Sequence, residues 1–300
     1  MASETKVKPD WVKIKAFTSS EFDTIKNTLN QNNLKTVCHS ASCPNIFECW
    51  NLKTATFLIL GDTCTRNCLF CGVKKGNPNG LTDAEEKTRL ISAIKSLNLK
   101  YVVLTSVDRD DLKDYGASHF SDCIKEIKKI KSIKVEALIP DFNSNESLLK
   151  KIASNNPDVV AHNIETVERL SSIRDKRASY IRSLKVLDII KKINSSILTK
   201  SSLLLGLGET EEEVIESMKD LRKNSVDILV LGQYLKPNKK CIDVKEYITP
   251  KKFKYYKNIA LRLGFQQVLA SPFARSSYKA GEIMANLNST SILDKNNRKL

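Results

Sequence analysis

Six short apolar runs, each followed by an amphipathic stretch of helix length, constrain this fold more than any other feature. The runs are TFLIL (56–60), YVVLT (101–105), VEALI (135–139), DVVAH (158–162), SLLLG (202–206) and DILVL (227–231). The helical patterns fall near 83–97, 118–131, 145–154, 178–192, 210–223 and 250–263. Continuously apolar strands that alternate with helices form a parallel sheet covered by those helices. Six such units predict an α/β fold, a partial (β/α)6 barrel of the TIM type. A doubly wound open sheet is the competing layout.

Parallel α/β barrels place function in the loops after the C-terminal ends of their strands. The unusual residues of this chain fall there. GDTCTRNCLFCGV follows the first run, SVDRDD the second, PDF the third, NIE the fourth, LGET the fifth and GQY the sixth. Residues 53–265 are therefore read as the barrel. Residues 1–52 form an N-terminal extension, where Ser20 is placed to cap a short helix bearing Phe22, Ile25 and Leu29. Residues 266–300 form a C-terminal segment with an Arg-Ser-Ser-Tyr motif and a polar tail, expected to close over the site.

The 300 residues are 41% hydrophobic, enough for one large α/β domain or two small ones. No apolar run approaches the roughly 18 residues of a membrane span, so no membrane partner is expected. The N-terminal residues lack an apolar signal core and carry acids among lysines, which predicts a cytoplasmic, reducing setting. There, clustered cysteines serve as metal ligands rather than disulfides. The formal charge of +15 reflects either a solvated lysine-rich surface or an acidic partner. The lysines are scattered and no aromatics interleave with them, so nucleic acid is not expected. The three histidines, His39, His119 and His162, are few for ordinary hydrolytic chemistry and suit chemistry carried by a cofactor.

Six of the eight cysteines lie between Thr36 and Val73, in two triplets. Cys64, Cys68 and Cys71 sit just past the first strand. Three thiolates in a tight loop can hold three corners of a cubane iron–sulfur cluster, leaving the fourth iron open to a substrate or cofactor. A structural zinc would need a fourth nearby ligand, and the sequence just downstream of Cys71 supplies neither His nor Cys. Cys38, Cys43 and Cys49 do not share one helix face, which implies a wrapped loop. They read as a second cluster, with a zinc site completed by His39 as the alternative. Cys123 and Cys241 lack ligand-spaced partners and read as ordinary cysteines. Taken alone, Ala274–Tyr278 reads as a capped turn.

CTRNCLFC (64–71) resembles the CxxxCxxC signature of radical S-adenosylmethionine (radical SAM) enzymes. The resemblance implies that the amino and carboxylate groups of S-adenosylmethionine occupy the open iron. An electron from the cluster then gives a 5′-deoxyadenosyl radical that removes hydrogen from unactivated carbon. Phe70 matches an aromatic near the adenine. Ser106 and Asp108, in TSVDRDD (105–111), lie where the superfamily contacts the methionine amine. Asn163 and Glu165 are offered to the ribose or methionine. Gly206, Gly208 and Glu209, in GLGET, resemble the segment near the adenine, although the same residues read as a strand-to-helix turn.

The two triplets together resemble the lipoyl synthases. The match runs from KPDWVKIKA (8–16) to Tyr278, through CHSASCPNIFECW, TATFLILGDTCTRNCLFCGV, YVVLTSVDRDDLKDYGASHF, PDVVAHNIETV, GLGETEEEV, LGQYLKP and SPFARSSY. It implies a second, auxiliary 4Fe–4S cluster on Cys38, Cys43 and Cys49, with Ser277 of Arg275-Ser276-Ser277-Tyr278 as fourth ligand. Many members carry a histidine where this chain has Lys279, a departure beside the ligand. A hard alkoxide matches such iron less well than thiolates, so a serine ligand suits a cluster meant to come apart.

The implied reaction inserts two sulfurs at carbons 6 and 8 of an octanoyl-lysine, giving a lipoyl-lysine. Two S-adenosylmethionine molecules are used per turnover, sulfur comes from the auxiliary cluster, and Ser277, Cys64, Cys68 and Cys71 are the catalytic set. The implied partners are octanoylated lipoyl carrier domains of 2-oxoacid dehydrogenase acyltransferase subunits and the glycine cleavage carrier protein. A ferredoxin or flavodoxin reductant and a cluster-repair carrier complete the set, around a monomer. A basic rim would steer the acidic carrier domains. A methylthiotransferase would add a nucleic-acid-binding module, whereas this chain ends in ANLNSTSILDKNNRKL. A two-cluster electron carrier would supply four cysteines per cluster.

Overall fold

A computed structural model of the chain describes residues 8–13, 17–52, 54–285 and 287. The N-terminal part holds α1 (Ser20–Gln31), β1 (Lys35–Thr36), α2 (Val37–Ser40) and α3 (Ile46–Asn51). Ser19, not Ser20, caps α1: its hydroxyl accepts the Phe22 N–H, and Ile25 and Leu29 are buried. Cys38 and Cys49 lie on α2 and α3, with Cys43 in the turn between them, so the expected loop is two short helices.

The barrel begins with β2 (Thr56–Ile59), after which β3 (Thr63–Cys64) and β4 (Lys74–Lys75) pair as a small parallel ladder. Then follow α4 (Glu86–Ser96), β5 (Tyr101–Ser106), α5 (Ala117–Lys128), β6 (Lys134–Leu138), α6 (Glu146–Ala153) and β7 (Val159–Ala161). The chain continues with α7 (Tyr180–Ile193), β8 (Leu198–Leu205), α8 (Glu211–Lys223), β9 (Ile228–Gln233), α9 (Pro250–Arg262) and β10 (Gln267–Ser271). The main sheet has eight strands in the order β1-β2-β5-β6-β7-β8-β9-β10. β1 is antiparallel to β2, and every other neighbouring pair is parallel. The parallel strands follow one another in chain order with no reversal, as in a barrel and not a doubly wound sheet, and among the described residues β1 and β10 remain as two edges, so the barrel is partial. β10 adds a seventh parallel strand that carries the chain directly into the Arg-Ser-Ser-Tyr motif.

Helices form where the apolar spacing recommends them, and the caps agree. Asn145, Ser179 and Thr249 cap α6, α7 and α9 with side-chain oxygens. Thr210 and Glu213 make a reciprocal capping box at the start of α8. Charges at the N-terminal rim serve the sheet. Asp158 accepts the Val135 N–H and Asp227 the Thr199 N–H, with Lys128, Lys134 and Lys191 as counter-ions. β8 starts four residues earlier than its apolar run, because Lys200 lies inside the barrel with its side chain only 1% exposed. Both Glu136 oxygens accept from Lys200, at 2.9 and 3.0 Å, and Tyr101 donates to the same carboxylate at 2.8 Å.

The opposite rim is where the C-terminal segment lies. Gly232, on β9, is approached so closely that an added Cβ would stand 2.0 Å from the Ala274 carbonyl oxygen. Backbone cannot yield there without moving the segment. Gly232→Ala is expected to cost about 1–3 kcal/mol, read as a lowered midpoint of chemical denaturation. An unchanged midpoint would mean that the segment does not lie against β9.

Candidate active site

The loop from Cys64 to Cys71 is tied to the barrel by charge. Arg66, between the first two cysteines, is buried with its guanidinium hydrogen-bonded to two carboxylates and with a third, Asp108, 3.4 Å from Nη1. Asp141, after β6, takes a bidentate pair at 2.8 Å each. Asp110, after β5, accepts from Nε at 3.1 Å and Nη2 at 3.0 Å. Burial alone would raise the Asp141 carboxyl, but the Arg66 hydrogen bonds outweigh it and hold it at about 2. Thr65 donates to Asp110 at 2.7 Å, and the Asn67 N–H donates to Asp175 at 2.7 Å. Asp175 in turn accepts from Arg177 at 2.8 Å. The Asp175 N–H lies 3.3 Å from Cys68 Sγ, and the Arg66 N–H 3.4 Å from Cys64 Sγ. None of these acidic partners is close to Arg66 in sequence, which is why motif reading passes over them.

The first triplet is held mainly by backbone hydrogen bonds and capped by the C-terminal segment. The Cys43 N–H donates to Cys38 O at 2.9 Å, and the Cys49 N–H to Asn45 O at 2.8 Å. The Asn45 side chain donates to Phe273 O at 2.6 Å, and the Tyr278 hydroxyl reaches both Glu48 oxygens at 2.9 Å. Burial raises the Cys43 thiol, opposed by the Asn45 N–H and then by Arg275.

A single cavity of ≈ 530 Å³ is lined by all six of these cysteines and by Phe70, Ser106, Asp108, Asn163, Glu165, Ser276 and Ser277. Three predicted contacts are not brought to it. Gly206, Gly208 and Glu209 build the turn from β8 to α8, where Glu209 accepts the Gly206 and Leu207 N–H groups. The cavity wall also holds Arg174 and His162, which sequence reading did not select. Burial depresses His162 to about 4. Its Nδ1 faces Ile139 O at 2.9 Å and its Nε2 faces Ser183 Oγ at 2.9 Å, so it serves as a neutral structural group. Arg174 donates to that same Ser183 hydroxyl at 3.0 Å.

Comparison with known proteins fits this geometry. The Radical SAM superfamily model matches residues 58–221, more than half of the chain. A lipoyl synthase of Methanocella arvoryzae is 49% identical over 284 residues, covering 94% of this chain and 96% of the relative. One from Caldanaerobacter subterraneus is 50% identical over 273 residues, covering 91% and 95%. The chain belongs to the lipoyl synthase family. An apicoplast lipoyl synthase of Plasmodium falciparum is 49% identical, with 92% of this chain and 67% of that protein covered. Among solved structures, methylornithine synthase aligns at 13% identity with a TM-score of 0.53, over 92% of this chain and 90% of that one. Streptococcus suis SuiB bound to S-adenosylmethionine aligns at 13% identity with a TM-score of 0.57, over 71% and 49%. Those two likenesses concern the fold. As a member of the lipoyl synthase family, the chain is a radical SAM sulfurtransferase that works with a 4Fe–4S cluster and S-adenosylmethionine.

The residues of this lipoyl synthase relative fit those groups. Ser106 Oγ and Asn163 Oδ1 are buried at the cavity without a hydrogen-bond partner among the described residues, which a polar ligand would correct. Desolvation pushes Asp108 up to about 6 against the pull of Arg66, with Asp141 and Asp110 adding like charge. Burial raises Glu165 as well. The thiols want a cation. Burial, then Asp108, pushes Cys64 up to about 12, and burial pushes Cys68 up to about 11. Burial, then Cys43, lifts Cys38 to about 11, and Cys49 is raised by burial and by both neighbours. Thiolates form in such places when metal supplies the charge. Among the described residues no three His, Cys, Asp or Glu side chains converge as a site for one metal ion. A cubane takes one thiolate at each iron, so its ligands stand farther apart than those of a single zinc.

Replacing Arg66 by Met leaves the buried Asp141, among the described residues, with only the Asn143 N–H and Arg182, 3.8 Å away, to balance it. It is expected to cost about 3–5 kcal/mol in denaturation of the apo protein. Arg66→Lys, which keeps the charge but not the fork, should lose less. Equal and small losses would remove the clamp from this account.

Proposed function

We propose that this chain converts octanoyl-lysine on carrier proteins to lipoyl-lysine, with both sulfurs drawn from a second 4Fe–4S cluster held by Cys38, Cys43, Cys49 and Ser277. The observation that carries this reading is one cavity shared by both triplets and by a serine free to bind. Among the described residues Ser277 has no side-chain hydrogen bond, whereas Ser276 Oγ accepts from Asn163 at 2.8 Å. That difference supports Ser277 as the ligand. When bound, the cluster at Cys64, Cys68 and Cys71 supplies the electron for radical generation, and the second cluster supplies sulfide.

The chain's own residues hold, orient and exclude. Arg174 offers a buried cation to the carboxylate of S-adenosylmethionine, and Asp108 and Glu165 offer acceptors to its amine and hydroxyls. Phe70 packs against the adenine. Gly206, Gly208 and Glu209 act at a distance by shaping the β8–α8 turn. Val37, Pro44, Leu58, Leu138 and Leu235 give the cavity an apolar wall for an aliphatic chain and keep water from a carbon radical.

The substrates are lipoyl carrier domains of 2-oxoacid dehydrogenase acyltransferase subunits and the glycine cleavage carrier protein. The charge of +15, with Lys8, Lys75 and Lys236 at the cavity, supports attraction to an acidic carrier. A ferredoxin or flavodoxin supplies electrons, a cluster carrier restores the second site, and the enzyme acts as a cytoplasmic monomer. Among the described residues no helix is long and apolar enough to cross a membrane.

The test is anaerobic reconstitution with iron counting, followed by incubation with an octanoylated carrier peptide, S-adenosylmethionine and dithionite. About eight irons per chain and two sulfurs in the peptide are expected. A count of about four, or cosubstrate cleavage without sulfur in the peptide, would defeat the reading.

A further inference from the structure

Ser276 and Ser277 are neighbours that face one cavity, yet they are held differently. Ser276 Oγ accepts from Asn163 Nδ2 at 2.8 Å and lies 3.5 Å from the buried Ser202 hydroxyl on β8. The same Asn163 nitrogen donates to Glu165 Oε1 at 3.1 Å. The other end of that amide, Oδ1, is buried and without a partner among the described residues. One planar amide thus has an unfilled acceptor at the cavity and directs one N–H to a carboxylate and the other to the C-terminal segment. The segment is gripped on either side of this point, by Asn45 on Phe273 O and by Glu48 on the Tyr278 hydroxyl.

We propose that Ser276 is a positioning residue that couples occupancy of the S-adenosylmethionine pocket to the hold on Ser277. A donor that fills Asn163 Oδ1, or a hydroxyl that engages Glu165, turns or fixes the planar amide and so changes the N–H bond that its other hydrogen makes to Ser276. Ser276 passes that change to the next residue along the chain. The coupling works in both directions by thermodynamic necessity: whatever loosens the segment changes cosubstrate affinity by the same factor. This inference rests on Ser277 being the fourth ligand of the first triplet.

Backbone hydrogen exchange of the reconstituted holoenzyme, with and without S-adenosylmethionine and without reductant, tests it. The Tyr278 amide, which donates to Arg275 O at 2.9 Å, reports on the turn directly. In the unsubstituted enzyme the cosubstrate should slow exchange at 275–278 by about fivefold or more. Ser276→Ala should abolish that difference and weaken cosubstrate binding by a matching factor. Ser276→Thr, which keeps the hydroxyl, should restore both. No cosubstrate effect in the unsubstituted enzyme, or an equal effect in Ser276→Ala, overturns the coupling; the first arm decides even if the alanine variant does not load. The two readings fail separately. An iron count of about four in the unsubstituted enzyme defeats Ser277 as a ligand, whereas a count of about eight with no coupling defeats this inference alone.

Discussion

Arg66 makes the cysteine loop part of the barrel. A loop of this length on a strand end would otherwise sample many conformations, and three thiols held loosely cannot share a rigid group. The guanidinium joins the loop to two separate strand ends, through Asp110 after β5 and Asp141 after β6. A buried pair of this kind gains little net stability over an apolar replacement, because desolvation offsets most of the attraction. Its value is directional. A planar fork hydrogen-bonded to Asp110 and Asp141, with Asp108 beside it, favours one arrangement of the loop.

The two triplets look alike in sequence and are supported by different physics. Cys64, Cys68 and Cys71 sit in a lattice of ion pairs continuous with the barrel, through Arg66, Asp175 and Arg177. Cys38 and Cys49 sit on two short helices with Cys43 in the turn between them, and the segment above is fastened by a few hydrogen bonds, from Asn45 and Tyr278, and one ion pair of Lys279 with Glu48 at 3.8 Å. A clamp of charges suits a site that must survive every turnover. A latch that opens by breaking a few hydrogen bonds suits a site whose fourth ligand has to let go. The structural contrast therefore supports the division of roles proposed for the two sites.

Most of the barrel was legible because its strands are continuously apolar and its helices amphipathic, two periods that sequence shows directly. The exceptions have physical causes. β10 escaped because it is an edge strand with Val268 as its one fully buried side chain. The first half of β8 escaped because Lys200 reads as a surface residue until Glu136, 64 positions away, is seen to neutralise it. The cysteines announced themselves by residue type and spacing. Arg66, Asp141 and Arg174 did not, since a pairing across 75 residues leaves no local pattern. GLGET stands outside the cavity lining, and its glycines, with φ of +95° and +108°, shape the β8–α8 turn.

The central claim is that one cavity serves two cysteine sites with separate duties. It is tested most directly by removing each triplet in turn and measuring iron, 5′-deoxyadenosine and peptide-bound sulfur on the same preparations. With Cys38, Cys43 and Cys49 changed to Ala, about four irons should remain and 5′-deoxyadenosine should still form, with no sulfur in the peptide. With Cys64, Cys68 and Cys71 changed, about four irons should also remain, and neither product should appear. Sulfur insertion by the first variant, or iron loading of one triplet that depends wholly on the other, would contradict the account.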